Sequence, residues 1–183
     1  MKLATWNVNS LSVRLPQLLD WLAANPVDAI VLQETKLTDD KFPQAEIAAA
    51  GYRASWFGQK TYNGVALLSR SESVEPVRNI PGFDDEQARV IAGTVNGLRV
   101  IGAYFPNGQA PDSEKFVYKM RWLDALRAWV ASELAAHPQL VLMGDFNIAP
   151  EDRDVYDPVA WAGQIHCTPQ EREHFRQLVA LGL

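Results

Sequence analysis

The sequence has one cysteine, Cys167, among 183 residues. A disulfide framework and a cysteine-rich zinc site are therefore excluded, and a reducing cytoplasm is the expected compartment. No apolar run approaches the roughly 18 residues that a transmembrane helix needs, so no contact with a membrane is expected. Met1 to Asn9 alternates like a strand and shows no apolar signal region, so no secretory signal is expected there. No Gly-x-Gly-x-x-Gly or phosphate-cradling loop follows that first strand, which argues against Rossmann and P-loop enzymes. A basic excess is also lacking: 17 Lys+Arg against 22 Asp+Glu give a formal charge of −5. That argues against a protein that coats nucleic acid by bulk electrostatics. Most of the acidic excess lies from Asp145 onward, which leaves the preceding body close to neutral. There Lys115, Lys119 and Arg121 read equally as basic spots for a phosphate backbone or as a solvated helix face. None of the three histidines, His137, His166 and His174, sits in a Ser or Asp relay. His137 is expected to be exposed, the other two structural, and Cys167 a small buried residue.

What is present suffices for a core, since 48% of residues are apolar and 21% charged. Lys2–Val8 reads as a strand. Leu15, Leu18, Leu19 and Leu22 follow a helical period, with Pro16 placed in the first turn and Asn25-Pro26 as the stop. Residues 28–33 (DAIVLQ) form a short apolar run typical of a strand buried on both faces. A short helix over 43–50 ends at Gly51, and strands follow at 52–57 and 64–69. Residues 89–95 and 98–105 flank Asn96-Gly97, the strongest two-residue hairpin signal. Lys115–His137 is the longest helix, with Phe116, Met120, Leu123, Leu126, Val130 and Leu134 on one face. Another buried strand is expected at 139–143, and Thr168-Pro169 with Glu171 opens a last helix that ends at Gly182. Helices alternating with buried strands, plus a hairpin, predict an α/β fold, a layered sandwich.

The strands end in one kind of chemistry. Asn7 and Asn9, Gln33-Glu34, Tyr104 and Asn107, and Asp145 and Asn147 are oxygen donors, amides and a phenol, with no histidine or thiol among them. Ligands of open α/β folds gather beyond strand carboxyl ends, and magnesium takes one or two carboxylates, waters and substrate phosphate oxygens. Each residue also has a plain structural reading. Asn7 and Asn9 suit a turn, Glu34 an exposed strand end, Tyr104 a core aromatic, and Asp-x-Asn a loop cap. Recurrence at four strand ends is what the structural readings do not predict.

The runs TWNVNSLSVRL (5–15), LQETKL (32–37), YNGVALLSR (62–70), RV (89–90), YFPNG (104–108), KMRWLDAL (119–126) and GDFNIAP (144–150) resemble exonuclease III. This is the bacterial abasic-site endonuclease branch of the endonuclease/exonuclease/phosphatase superfamily. DVYDP (154–158) and IHCTPQEREHF (165–175) are similar to the same branch. The resemblance implies two mixed β-sheets flanked by helices, and a magnesium-dependent DNA phosphodiesterase of base-excision repair, with manganese able to substitute. Its partner would be double-stranded DNA, cut 5′ to abasic sites or shortened from 3′ ends. It implies metal-site roles for Asn7, Glu34, Asp145 and Asn147, and catalytic roles for Tyr104, at the scissile phosphate, Asp145, on the attacking water, and Asn147. Lys60, Tyr62, Asn63, Arg89 and Asn107 match DNA-contacting loops.

The family's pattern continues past the helix at 169–181, with an aromatic-rich pocket segment, an Arg-x-Asp aspartate and a C-terminal Ser-Asp-His. The expectation is therefore one domain over 1–183, truncated at its C-terminal end and lacking the last strands. Such a chain is expected to show nuclease activity greatly reduced or absent, and to be a monomer if complete. Two other readings compete. One is a catalytically inactive DNA-binding or partner-binding fragment; the other is a relative that cleaves small phosphate esters.

Overall fold

A computed structural model describes residues 1–183. The chain divides into two compact units, Met1–Tyr104 with His137–Asp145, and Phe105–Ala136 with Phe146–Leu183.

The first unit contains two four-stranded mixed sheets. One runs β1 (Leu3–Asn7), β2 (Ala29–Gln33), β4 (Val65–Ser69), β3 (Arg53–Phe57). The other runs β5 (Ser73–Arg78), β6 (Val90–Val95), β7 (Leu98–Tyr104), β8 (Leu140–Asp145). The AIVL stretch of the DAIVLQ run is apolar throughout because β2 is buried on both faces. Ile30 and Leu32 pack with Leu11, Leu18 and Leu22 of α1 (Leu11–Ala24) and with Ile47 of α2 (Gln44–Ala49). Ala29 and Val31 face the other way, into a cluster with Leu67, Ile91, Val95 and Val100 that joins the two sheets. The expected hairpin forms at Asn96-Gly97, both left-handed (φ 50° and 83°), as a type I′ turn requires.

Gly102 of β7 marks a close approach inside this core. A Cβ there would fall 2.3 Å from Val31 Cγ1. Gly102→Ala is expected to cost about 1–3 kcal/mol, the usual penalty of overpacking. Urea denaturation checks this, with the midpoint falling at unchanged m.

Several expectations are corrected in this unit. Pro16 lies inside α1, not in its first turn. Burial of Leu11 starts the helix a turn earlier, and packing of Leu18 and Leu22 outweighs the backbone bond that proline forfeits. Residues 140–145 form a strand, but one half-buried along its length, because β8 is the outermost strand of its sheet. β5 was not expected at all. Its exposed face, its internal Pro76 and the register shift between Val74 and Val77 hide the alternation, and proline is tolerated at such an edge bulge.

The second unit is helical. Its elements are α3 (Glu114–Ala136), a 3₁₀ turn at Asp152–Asp154, α4 (Pro158–Trp161) and α5 (Pro169–Val179). Phe105 stacks edge-on to Trp122 and lies 4.5 Å from Phe146, which meets Phe175 in turn. The capping box forms as expected at Thr168 and Glu171. The buried face of α3 is Phe116, Lys119, Trp122, Leu123, Leu126, Trp129 and Val130, whereas Met120 and Leu134 are only half-buried. Lys119 is neither a basic surface spot nor solvated: it is fully buried and paired with Glu171. His137 of the first unit, expected to be exposed, is half-buried.

His174 on α5 has a buried Nδ1 without a hydrogen-bond partner, 3.9 Å from Asp124. Burial holds its imidazole below the ordinary value, against the pull of Asp124 and Glu173 and with the push of Arg127. The unfolded chain then takes up this proton at higher pH than the folded one, so stability rises with pH in that window. The contribution is complete above about pH 6.5 and is lost as pH falls through the lower folded value. Thermal melts from pH 7.5 to 5 are expected to fall less steeply in His174→Asn than in the native chain.

Candidate active site

Two parallel strand pairs bring the polar strand ends together in the first unit. β1 and β2 run parallel and end in register at Asn7 and Gln33, with Glu34 next in the chain. β7 and β8 run parallel and end in register at Tyr104 and Asp145. Parallel pairing with matched ends puts four functional side chains at carboxyl ends of strands, where backbone spacing cannot scatter them. The Asn7 amide nitrogen donates to Glu34 Oε1 and to Asp145 Oδ2, both at 2.8 Å. Its oxygen accepts from the Asn9 backbone at 3.1 Å. One amide therefore spans the two sheets and spaces two carboxylates.

Glu34 itself is left-handed, φ 55°. That conformation is costly for a residue with a Cβ and persists only where neighbours hold it. Here Ser10 N bonds Glu34 O at 2.8 Å, while Thr35 and Lys36 donate to the carbonyls of Gly64 and Asn63. Gly64 is itself left-handed, and a Cβ there would overlap the Thr35 hydroxyl. The strain thus points the Glu34 carboxylate back over the strand ends.

The electrostatics separate the two groups beside Asp145. Burial pushes the Glu34 carboxyl up, but hydrogen bonds from Asn7, Lys36 and Tyr104 outweigh it and hold the group below its ordinary range. Lys36 Nζ lies 2.9 Å from Glu34 Oε2 and donates to Asn9 Oδ1. Burial, followed by the bond to Glu34 and its charge, raises the Tyr104 phenol far above its ordinary value. Tyr104 is therefore an O–H donor at every physiological pH, and Glu34 a carboxylate.

Arg89 is 8% exposed and acts on Tyr104. Its guanidinium lies 5.1 Å from the Tyr104 ring centroid and donates to the Tyr104 carbonyl and to Gln87. Lys60 and Tyr62 stand exposed on the β3–β4 loop, Tyr62 at 69%. Asn63 is buried, its amide bonding Gln59 and Gln87, so its side chain shapes that loop from within. In the second unit Asn107 is exposed, its amide nitrogen 3.0 Å from His166 Nε2. Asn147 is left-handed, φ 46°, and its amide donates to the Phe105 carbonyl at 3.0 Å.

Sequence reading missed three residues with a part here. Lys36 stands in the LQETKL run two residues after Glu34. His166, set aside as structural, adjoins Asn107. Lys119 falls at helical spacing between Phe116 and Leu123, a charge within an apolar stripe, which is the signal that identifies it.

The donor chemistry suits a hard divalent cation. Glu34 and Asp145 offer carboxylate oxygens, no histidine or cysteine joins them, and no group of three acidic or sulfur and imidazole ligands forms anywhere in the chain. Two carboxylates are what magnesium takes when waters and substrate phosphates complete its shell, whereas zinc would want more protein ligands. Because the Asn7 nitrogen faces both carboxylates, Asn7 orients them from beside such an ion.

Residues 4–176 match the pattern of the Endonuclease/Exonuclease/phosphatase family. Exodeoxyribonuclease III of Haemophilus influenzae is 32% identical over 195 residues, spanning 100% of this chain and 73% of its own length. A Neisseria 3′ phosphatase, NExo, solved with a product DNA hairpin, is 53% identical with a TM-score of 0.98, over 99% of this chain and 71% of that one. An AP endonuclease from Archaeoglobus fulgidus is 33% identical with a TM-score of 0.94, over 99% and 70%.

Proposed function

This chain belongs to the endonuclease/exonuclease/phosphatase family, among the exodeoxyribonuclease III-type and AP-endonuclease hydrolases, and on that premise we propose that it is a magnesium-dependent DNA phosphodiesterase of base-excision repair. Its substrate is duplex DNA, cut 5′ to an abasic site or shortened from a 3′ end. The observation that carries the reading is the Asn7 amide bridging Glu34 and Asp145 beside a phenol that stays protonated.

A phosphodiester repels an approaching nucleophile because it already bears a negative charge. Glu34 and Asp145 would hold magnesium, which when bound would supply positive charge against the charge that develops on the phosphate oxygens in the transition state. Asn7 fixes the separation of the two carboxylates. Tyr104, its ring held by Arg89, gives its one O–H to Glu34 in the free protein and turns it to a non-bridging oxygen when the phosphate enters; it cannot act as a base. Asp145 orients the attacking water and takes its proton, help worth about 10²–10⁴-fold. In the second unit, the amides of Asn107 and Asn147 donate to DNA phosphates. They hold the backbone through neutral donors. Lys60 and Tyr62 meet the duplex from their exposed loop.

A substrate comparison tests this. The protein is given a 3′-recessed duplex, a duplex with one abasic site, and p-nitrophenyl phosphate, each with magnesium and with manganese. Slow cleavage of the duplexes with either metal, read with enzyme in excess because the activity of this chain is expected to be greatly reduced, and none of the small ester, is expected. Hydrolysis of the ester with both duplexes left intact overturns the assignment in favour of a small-ester phosphatase.

A further inference from the structure

The second unit contains a buried ion pair that stability alone does not explain. Lys119 of α3 and Glu171 of α5 are both fully buried, Nζ to Oε1 at 2.5 Å. Removing two charges from water costs about as much as their attraction returns, and apolar replacement of such pairs is often neutral or stabilising. What an apolar pair cannot do is donate hydrogen bonds. The Lys119 ammonium has three donors, and besides Glu171 it reaches the backbone carbonyls of Asn107 at 3.2 Å and Asn147 at 2.7 Å. These are the two loop asparagines assigned above to the phosphate. On the other side, Glu171 Oε2 accepts from the backbone and the hydroxyl of Thr168, the α5 N-cap. The carboxylate is thereby anchored to the start of a helix, and the ammonium to the carboxylate.

Both loops need such an anchor. Asn147 (φ 46°) and Gln109 (φ 60°), two residues after Asn107, both sit in the left-handed region, and Lys119 Cδ lies only 3.1 Å from where a Cβ on Gly108 would stand. A short loop with strained backbone keeps one conformation only when its carbonyls are held.

We propose that Lys119 and Glu171 are positioning residues, a buried charged clamp that sets the carbonyls of Asn107 and Asn147 and thereby aims their side-chain amides at a DNA phosphate. The clamp rests on the reading that those amides meet the phosphate. It touches no substrate itself.

The test is the double variant Lys119→Met with Glu171→Gln, which removes both charges at near-constant volume and keeps an acceptor for the Thr168 cap. Affinity for a 3′-recessed hairpin duplex is read by fluorescence anisotropy in EDTA, so that neither metal nor turnover enters. The expected result is a melting temperature close to native with the Kd raised about tenfold, the size of one misplaced hydrogen bond. The slope of log Kd against log salt is expected to stay unchanged, because a buried ammonium releases no counterion from DNA. Lys119→Arg with Glu171 intact keeps the donors and is expected to recover most of the affinity. It also serves as the test should the double variant not fold.

A folded double variant with native Kd, or a Lys119→Arg variant that folds but binds as weakly as the charge-free one, overturns the clamp. So does a salt slope reduced by about one, which would mean that Lys119 contacts a phosphate directly. Asn107→Ala and Asn147→Ala locate a failure. If both bind like the native chain, the phosphate reading fails and takes the clamp with it. If both bind weakly while the double variant does not, the clamp alone fails.

Discussion

Asp145→Asn is expected to lower single-turnover cleavage of duplex DNA by about 10³-fold while leaving duplex affinity nearly native. The substitution is isosteric, and its carbonyl oxygen can still accept the Asn7 amide that now reaches Oδ2 at 2.8 Å. The strand ends and the spacing to Glu34 therefore survive. What disappears is the charge that takes the water's proton and half of the carboxylate charge offered to the metal. A base within hydrogen-bond reach of the nucleophile is worth about 10²–10⁴-fold, and the metal effect adds to that. Quench-flow with enzyme in excess measures the chemical step, and anisotropy measures binding. Native-like turnover in a folded Asp145→Asn would remove Asp145 from the chemistry altogether.

Glu34→Gln is expected to raise the magnesium concentration for half-maximal cleavage by at least about 100-fold, beyond what loss of an outer-shell partner alone produces. The Glu34 carboxylate is kept ionised by bonds from Asn7, Lys36 and Tyr104 despite partial burial. A neutral amide keeps the shape and loses the ligand charge. It also leaves Lys36, now 2.9 Å from the carboxylate, with an uncompensated charge beside the site, which further repels a cation. Manganese binding, followed by electron paramagnetic resonance without DNA, is expected to weaken in parallel. Unchanged manganese affinity would place the metal elsewhere.

Much of this site was legible because its logic is local. Asn7, Glu34, Tyr104 and Asp145 each close an apolar strand, and a polar group repeated at strand ends is visible without a structure. That β1 pairs with β2 and β7 with β8 in parallel, so that the four ends meet, is a matter of register and cannot be read from one segment at a time. The Asn96-Gly97 hairpin and the Thr168–Glu171 cap were likewise readable, since each is a short-range rule. Asp157-Pro158, the start of α4, carried the same kind of signal and went unread.

The misses have a common cause in long-range packing. β5 does not alternate because it is an exposed, bulged edge. Pro16 sits mid-helix because Leu11 is buried ahead of it. Arg89 and Asn63 keep their place among the proposed DNA contacts, but their bonds to Tyr104, Gln87 and Gln59 join segments that sequence reading takes one at a time. Lys119 is the clearest case. Charge alone made it a surface residue, yet its spacing from Phe116 and Leu123 put it on the buried face, and only its partner 52 positions along the chain explains how a charge is tolerated there.

In the proposed reaction, two carboxylates bridged by Asn7 would hold a divalent metal for water attack on a DNA phosphate. Its most direct test is single-turnover cleavage of a labelled 3′-recessed duplex by excess enzyme, native and Asp145→Asn, each in magnesium and in EDTA. Enzyme excess makes even a slow chemical step readable. Shortened strands are expected from the native chain in magnesium alone. Equal cleavage in EDTA, or cleavage by Asp145→Asn at the native rate, would contradict it.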